Sequence, residues 1–194
     1  MRQLSSTLLL SGMLLASVLF GNPQVAQVTL DWPGLEAAWT AYYQNPSEAG
    51  AEKLLQLLPG TVKIIDIKDG FLVVNAIVDH LGVLEGEIYA GNPFAIKLGF
   101  RLLTIAYGAS EVALNKILGN LIAFNPRLFL EALAAHRSLF LALDPIVASF
   151  TRDTSDDPTA HDLEKKLRIK SLESVEDKTL KSLRNECIKI LKRL

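Results

Sequence analysis

The segment from 92 to 150 constrains the fold more than any other part of the chain, because helix-start signals recur along it. Asn92-Pro93 and Asn125-Pro126 each join an N-capping side chain to a proline. Proline suits the first helical position, where its missing N–H would have had no intrahelical acceptor. Ser110, followed by an acidic residue, is a third start signal. The segment therefore predicts three consecutive helices and a short fourth one at Asp144-Pro145.

The apolar residues between these signals follow helical spacing. The second of the predicted helices has a single apolar face, formed by Leu114, Ile117, Leu118, Leu121 and Ile122. The first, over 93–107, is apolar on nearly all sides, and such a helix is usually buried between neighbours. We therefore expect 93–107 to lie in the middle of the core. The third helix is predicted from Pro126 to about Ser138, with Arg127 and Glu131 paired on its outer side.

Residues 1–26 have the composition of a secretory signal peptide. Arg2 supplies the positive charge, Leu8 to Phe20 forms an apolar core of thirteen residues, and small and polar residues follow as far as Ala26. This core is shorter than the roughly 20 residues that a membrane-spanning helix needs. We therefore predict a periplasmic or secreted protein. Gln24 is not the small residue that a cleavage site prefers, so the alternative is an uncleaved N-terminal anchor in the inner membrane.

The chain after the leader is long enough for one domain, and a hydrophobic content of 49% is enough for a core. We divide it into a helical domain over 27–150, a polar linker over 151–160 and a basic amphipathic segment over 161–194. Cys187 is the only cysteine, so no intrachain disulfide is possible. Its position on an apolar helical face predicts a buried thiol, with an intermolecular disulfide as the alternative.

Two segments precede the central block. Residues 33–43 and 47–58 predict a helical hairpin, whose aromatic residues Trp39, Tyr42 and Tyr43 are expected to pack in the core.

The secondary structure of residues 61–78 is ambiguous. They contain β-branched runs around an Asp-Gly pair, which is typical of a β-hairpin. The spacing of the apolar residues also fits a helix from about Asp69 to Tyr89, and we choose the helix because the surrounding segments are helical.

Four prolines recur at nearly constant steps of 34, 33 and 32 residues: Pro59, Pro93, Pro126 and Pro158. Two-helix repeats have periods in this range. The sequence similarity between the segments is poor, and Pro158 is expected to lie in a loop. The fold class is therefore all-α, a helical array that is either a HEAT-like α-solenoid or an irregular helical bundle.

The C-terminal segment is basic, whereas the rest of the chain is acidic. Residues 161–194 contain ten Lys or Arg and six Asp or Glu, a net charge of +4, and the remainder carries −5. The final helix has an apolar seam along Leu180, Leu183, Cys187, Ile190 or Leu191, and Leu194. Basic residues surround this seam, including Lys181 and Arg184. This helix is predicted to dock on its own domain, to pair with another protein or to lie on an anionic membrane surface. Nucleic acid is not an expected partner, because no aromatic platform accompanies the basic residues.

No metal, cofactor or catalytic motif is recognisable, and the three histidines lack a metal ligand at helical spacing. The candidate binding residues are therefore charged groups near the core. Glu87 lies near the end of one predicted helix, and Lys97 and Arg101 line the next. If these helices are antiparallel neighbours, Arg101 can meet an acid across the interface and form either a charged-ligand site or a structural ion pair. Lys181 and Arg184 complete the set of candidate binding residues.

These patterns predict an exported all-α interaction or scaffold protein that acts through its surfaces. A carrier of an apolar ligand between helices and an enzyme with an unrecognised site are the alternatives. A scaffold requires an exposed groove, a carrier an enclosed apolar cavity, and an enzyme a cleft with convergent titratable groups.

Overall fold

The computed structural model describes residues 30–60, 70–151 and 157–194. Within these ranges it contains ten α-helices and one 3-10 turn (Arg137–Leu139), and no strand, which confirms the prediction of an all-α fold. The predicted signal peptide and residues 61–69 lie outside the described residues. The helices are α1 Trp32–Gln44, α2 Glu48–Leu57, α3 Phe71–Asp79, α4 Leu81–Tyr89, α5 Pro93–Leu102, α6 Ala109–Phe124, α7 Pro126–His136, α8 Asp144–Val147, α9 Pro158–Glu173 and α10 Lys181–Lys192.

Three helices begin at a proline that follows a capping side chain. The Oδ1 atom of Asn92 accepts hydrogen bonds from the N–H groups of Phe94 (3.0 Å) and Ala95 (3.3 Å), at the start of α5. Asn125 caps α7 in the same way, as predicted. Asp157 caps α9 by accepting from the Ala160 N–H at 2.9 Å. The expectation that Pro158 lies in a loop, and that the linker extends to residue 160, is therefore wrong, because the cap at Asp157 and the proline start a helix there.

The start of α6 differs slightly from its prediction. The helix begins at Ala109 after Gly108, whose φ of +55° is in the left-handed region that favours glycine. Ser110 is buried, and its hydroxyl donates to the Tyr107 carbonyl (2.7 Å) and accepts from the Tyr107 N–H (2.9 Å). Ser110 therefore closes the turn before α6 and is not the N-cap.

Residues 71–89 are helical, as predicted, but they form two helices. The break is at His80, where φ is −121° and the α-helical pattern is interrupted between α3 and α4. The His80 ring stacks on Tyr43 of α1 with 3.8 Å between ring centroids. Because 71–79 is helix, the second arm of the alternative β-hairpin is excluded.

The helices form two layers. One layer contains α1, the pair α3–α4, α6 and α9, and each member packs on the next. The other contains α2, α5, α7 and α10, which also contact one another in this order. Contacts between successive helices join the layers: α1 with α2, α4 with α5, α6 with α7, and α9 with α10. The short α8 lies between α6 and α10.

The core lies between the layers, and α5 is in its middle, as predicted. Ile96, Leu98, Phe100 and Leu102 have at most 1% of their surface exposed, and α5 packs on α2, α4, α6 and α7. Trp39 and Tyr42 are equally buried, which confirms that they belong to the core, whereas Tyr43 is partly buried and packs against it.

The C-terminal segment packs onto the rest of the chain. Leu172, Cys187 and Leu191 are fully buried and belong to the common hydrophobic core. The prediction of a buried thiol is confirmed, and burial raises the pKa of Cys187 to about 12, so the thiol stays protonated at neutral pH. None of the helices in the described ranges has the length and apolar character needed to cross a membrane.

Candidate functional site

Arg101 lies against the end of α2. Its Nη2 atom donates to the carbonyl oxygens of Leu55 (3.2 Å), in the last turn of α2, and of Leu58, the residue that follows the helix. Carbonyl groups at the end of a helix have no acceptor role within it. Burial lowers the pKa of the guanidinium. No acid among the described residues lies within ion-pair distance of Arg101. The hypothesised pair with an acid of the preceding helix does not form, and the geometry is that of a side chain that caps α2.

Glu87 and Lys97 lie on α4 and α5 but have separate contacts. The Glu87 carboxylate accepts from the Asn92 side-chain amide at 2.8 Å and so steadies the cap of α5. The Lys97 ammonium lies 5.3 Å from the centre of the Phe94 ring, and its side chain lines a small cleft of about 130 Å³ beside Glu131 of α7. The predicted residues Glu87, Lys97 and Arg101 are therefore near one another along the chain but do not converge on one site.

Lys181 and Arg184 lie on α10, which packs on α7, α8 and α9. Lys181 is exposed at the first residue of the helix. Arg184 is partly buried, and its guanidinium donates to the carbonyl oxygen of Val175 in the turn between α9 and α10. The Arg184 side chain thus stabilises this turn, whereas the exposed Lys181 side chain is available to a partner.

The most buried polar cluster is centred on Arg168 of α9, whose side chain has no exposed surface. Nη2 donates to Glu164 Oε1 (2.6 Å), the Ser149 carbonyl (2.7 Å) and Asn120 Oδ1 (2.8 Å). Nη1 donates to the Val147 carbonyl (3.0 Å). The guanidinium also stacks 4.6 Å from the centre of the Phe150 ring. Arg168 therefore joins α9 to α6 and to the residues at and after α8.

Both terminal nitrogens of Arg168 bond within the protein, whereas its buried Nε has no hydrogen-bond partner among the described residues. Burial lowers the pKa of Arg168, while the charge of Glu164 opposes that shift. The Glu164 carboxylate also accepts from the Thr151 N–H at 3.1 Å, and Asn120 donates to the Tyr89 hydroxyl at 3.1 Å. Because these groups already bond to one another, the cluster has the properties of a structural joint between helices.

The histidines are engaged in packing. His136 Nδ1 lies 2.9 Å from the Ala132 carbonyl oxygen, and burial lowers the pKa of its imidazole. The His161 ring lies 4.1 Å from that of Phe150. Over the described ranges, no group of three or more His, Cys, Asp or Glu side chains is placed to hold a metal ion.

The described concavity with the strongest claim to bind a partner is an open groove beside α6. It holds about 330 Å³ and its walls are mostly apolar. We call it the α6 groove, and its lining residues are Leu103, Glu111, Asn115, Leu139, Phe140, Leu141, Ala142, Pro145 and Ile146. Leu141, at its edge, has 94% of its surface exposed, the largest value among the exposed apolar side chains of the described residues. An apolar groove with a fully exposed leucine at its edge is typical of a binding surface.

Asn115 is the unusual residue of the α6 groove. Only 5% of its surface is exposed, and no residue within 30–60, 70–151 or 157–194 makes a hydrogen bond with its side-chain amide. Its amide oxygen and nitrogen are not among the fully buried side-chain atoms without a partner, so these two atoms reach the solvent in the groove. Glu111 lies four residues earlier on the same helical face, is exposed, and has no ion pair with a described residue. The groove therefore presents a carboxamide inside it and a carboxylate at its edge.

Neither Asn115 nor Arg168 is among the predicted site residues. A signal for Asn115 is present in the sequence, because it adjoins Leu114 and lies three residues before Leu118, within the apolar face of α6. A polar residue in such a face requires a partner. Arg168 has no comparable signal, since it lies among the other basic residues of 165–170.

Comparisons of the chain with protein-family models, with curated proteins and with solved structures give no match.

Proposed function

We propose that this chain is an exported helical interaction protein that binds a protein partner in the α6 groove. The observation that supports this most is Asn115, a largely buried residue whose carboxamide reaches the solvent in the wall of an open apolar groove and has no hydrogen-bond partner among the described residues. A partner that fills the groove would satisfy the carboxamide and cover Leu141 and its apolar neighbours. Both changes favour association.

We also infer that the two-layer array is a short HEAT-like α-solenoid. Each helix pair packs on the pair before it, and both layers keep the order of the chain. Pro93, Pro126 and Pro158 start α5, α7 and α9 at steps of 33 and 32 residues, which supports a repeated unit. A curved array of this kind provides grooves for partners, which agrees with an interaction role.

A carrier and an enzyme are less well supported. The α6 groove, the cleft beside Lys97 and the concavity between Arg127 and Asp177 are all open at the surface, whereas a carrier needs an enclosed cavity. The Arg168 cluster is the described place where titratable groups converge, and these groups bond to one another. An anionic membrane is a weaker candidate than a protein, because Cys187, Ile190 and Leu191, which form most of the apolar face of α10, are buried against the rest of the chain.

Export makes a prediction about the N-terminus of the mature chain. When the chain is produced in its own host, we expect intact-mass measurement of the cell-envelope or secreted fraction to show a protein that begins after Ala26. The substitution Leu14→Arg interrupts the apolar core of the leader and is expected to leave the precursor uncleaved. Recovery of the unprocessed, unsubstituted chain from the cytosol would contradict export, and an uncleaved chain in the membrane fraction would favour the anchor.

The groove makes a second prediction. With a photo-crosslinking amino acid in place of Leu141, irradiation of producing cells is expected to trap a discrete complex, because this side chain lies at the edge of the groove. Adding Asn115→Leu to the same chain should reduce the yield at least fivefold, since the partner loses its hydrogen bonds to the carboxamide. Denaturing gels and mass spectrometry measure the yield and the mass of the complex.

A matched control is available on α9. Leu163 is 62% exposed and lies outside the α6 groove, so the same cross-linker in its place should not give that complex. Equal trapping from both positions, or a yield that Asn115→Leu leaves unchanged, would show that the α6 groove is not the binding surface.

A further inference from the structure

We infer that the occupant of the α6 groove is an extended peptide segment with an apolar side chain and, about two residues away, a lysine or arginine. This inference rests on the proposed function and names the chemistry of the partner. Three features of the groove carry it: the carboxamide of Asn115, the apolar walls and the carboxylate of Glu111.

The Asn115 side chain matches the backbone of one residue in an extended chain. A carboxamide has an acceptor oxygen and an N–H donor side by side, and the N–H and carbonyl oxygen of one extended residue point to the same side. An extended segment has these groups free, whereas those of a helical partner are bonded within the helix. Asn115 has no hydrogen bond to the described residues, so both its donor and its acceptor are available. The backbone of a helical partner would cover this carboxamide without bonding to it.

The walls of the groove can hold one apolar side chain of the partner, next to the backbone groups that bond to Asn115. Ile146 and Leu139 are 1% and 8% exposed and form the apolar floor with Leu103 and Phe140. A volume of about 330 Å³ is at the small end of ligand sites, which suits a single anchoring side chain and its backbone. Leu141 lies at the edge, where it would close over the anchor.

Glu111 selects a positively charged neighbour. It is four residues before Asn115 on α6, so the two side chains lie on one face, about 6 Å apart along the helix axis. An extended peptide covers that distance in about two residues. Because Glu111 has no cation beside it within the described part of the chain, a lysine or arginine of the partner would make an ion pair with it.

The test uses two acetylated and amidated hexapeptides, identical except that a lysine in one is a glutamate in the other, each two positions from a leucine. Titration into the purified full-length chain is followed by calorimetry and by the NMR signals of the Asn115 side-chain amide. We expect the lysine peptide to bind at least tenfold more tightly than the glutamate peptide and to shift the Asn115 signals. Asn115→Leu should weaken binding about tenfold, or about 1.4 kcal/mol.

Charge reversal gives a second variant that does not depend on a buried position. Glu111→Lys should reverse the preference, so that the glutamate peptide binds more tightly than the lysine peptide. Asn75→Leu on α3 and Glu52→Lys on α2 are matched controls at exposed positions and should leave both affinities unchanged. Melting curves of all variants confirm that the fold is retained.

The outcomes separate this inference from the proposed function. Equal affinity for the two peptides, or binding that leaves the Asn115 signals in place, would overturn the peptide chemistry. If neither peptide binds but Asn115→Leu still reduces cross-linking from position 141, the groove binds a partner of another kind. If cross-linking is also unaffected, both the inference and the proposed function fail.

Discussion

Replacing Arg168 by leucine is expected to lower the free energy of unfolding by about 3–5 kcal/mol, the range found when one partner of a buried ion pair is removed. The Arg168 guanidinium has no exposed surface and donates hydrogen bonds to four different acceptors. Leucine would remove these donors from the carbonyl oxygens of Val147 and Ser149 and from the Glu164 carboxylate, whose side chain is 19% exposed. Urea unfolding followed by far-ultraviolet circular dichroism measures the change.

The chain contains a closely matched control for Arg168→Leu. Arg127 also pairs with a glutamate four residues away, Glu131, at 2.8 Å, but its side chain is 67% exposed. Water solvates both partners there, so Arg127→Leu should leave the unfolding midpoint nearly unchanged. If the two substitutions lower stability equally, burial of the Arg168 cluster is not the reason for the loss.

A double substitution tests the same cluster from the other side. Replacing both Arg168 and Glu164 by leucine removes the uncompensated carboxylate, so the double variant should be more stable than Arg168→Leu alone. A double variant that loses as much stability as the two single variants together would show that the two side chains contribute independently and are not a coupled pair.

The helices were predictable because the signals that start them are local. Asn92 with Pro93 and Asn125 with Pro126 bond to backbone groups two or three residues away, and the described starts of α5 and α7 agree with them. Asp157 with Pro158 is the same signal, but the polar residues before it favoured a linker, so no helix start was predicted there. The break at His80 could not be predicted from a local pattern, because the His80 ring stacks on Tyr43, which lies on another helix.

The candidate site was less predictable, because charge alone does not distinguish a buried side chain from a solvated one. Arg101 was chosen for its position on a nearly all-apolar helix, and it is indeed partly buried, but its acceptors are carbonyl oxygens of α2, more than forty residues away in the chain. A sequence cannot show which helix end will lie opposite an arginine. Asn115 is similar: its place in an apolar face was visible, but its lack of a partner depends on how 139–146 passes over α6.

Gly119→Ala is expected to destabilise the protein by about 1–3 kcal/mol, although alanine is the better helix former. A Cβ atom at this position would lie 2.6 Å from the Ile146 carbonyl oxygen and 2.9 Å from that of Ser149. These are backbone atoms, so α8 and the residues after it would have to move. Such a movement also displaces the Ser149 oxygen from Arg168, which donates to it at 2.7 Å. Urea unfolding measures the loss of stability.

Gly86 in the interior of α4 is the control, because a Cβ atom there would meet nothing within 4 Å and the residue is exposed. Gly86→Ala should therefore show the propensity effect alone, a gain of about 0.5–1 kcal/mol. If Gly119→Ala lowers the free energy of unfolding and Gly86→Ala raises it, the loss at position 119 comes from the contact between α6 and α8. A gain of stability from both would mean that α8 can move away from α6 with little loss, and that the Arg168 cluster does not hold this contact rigidly.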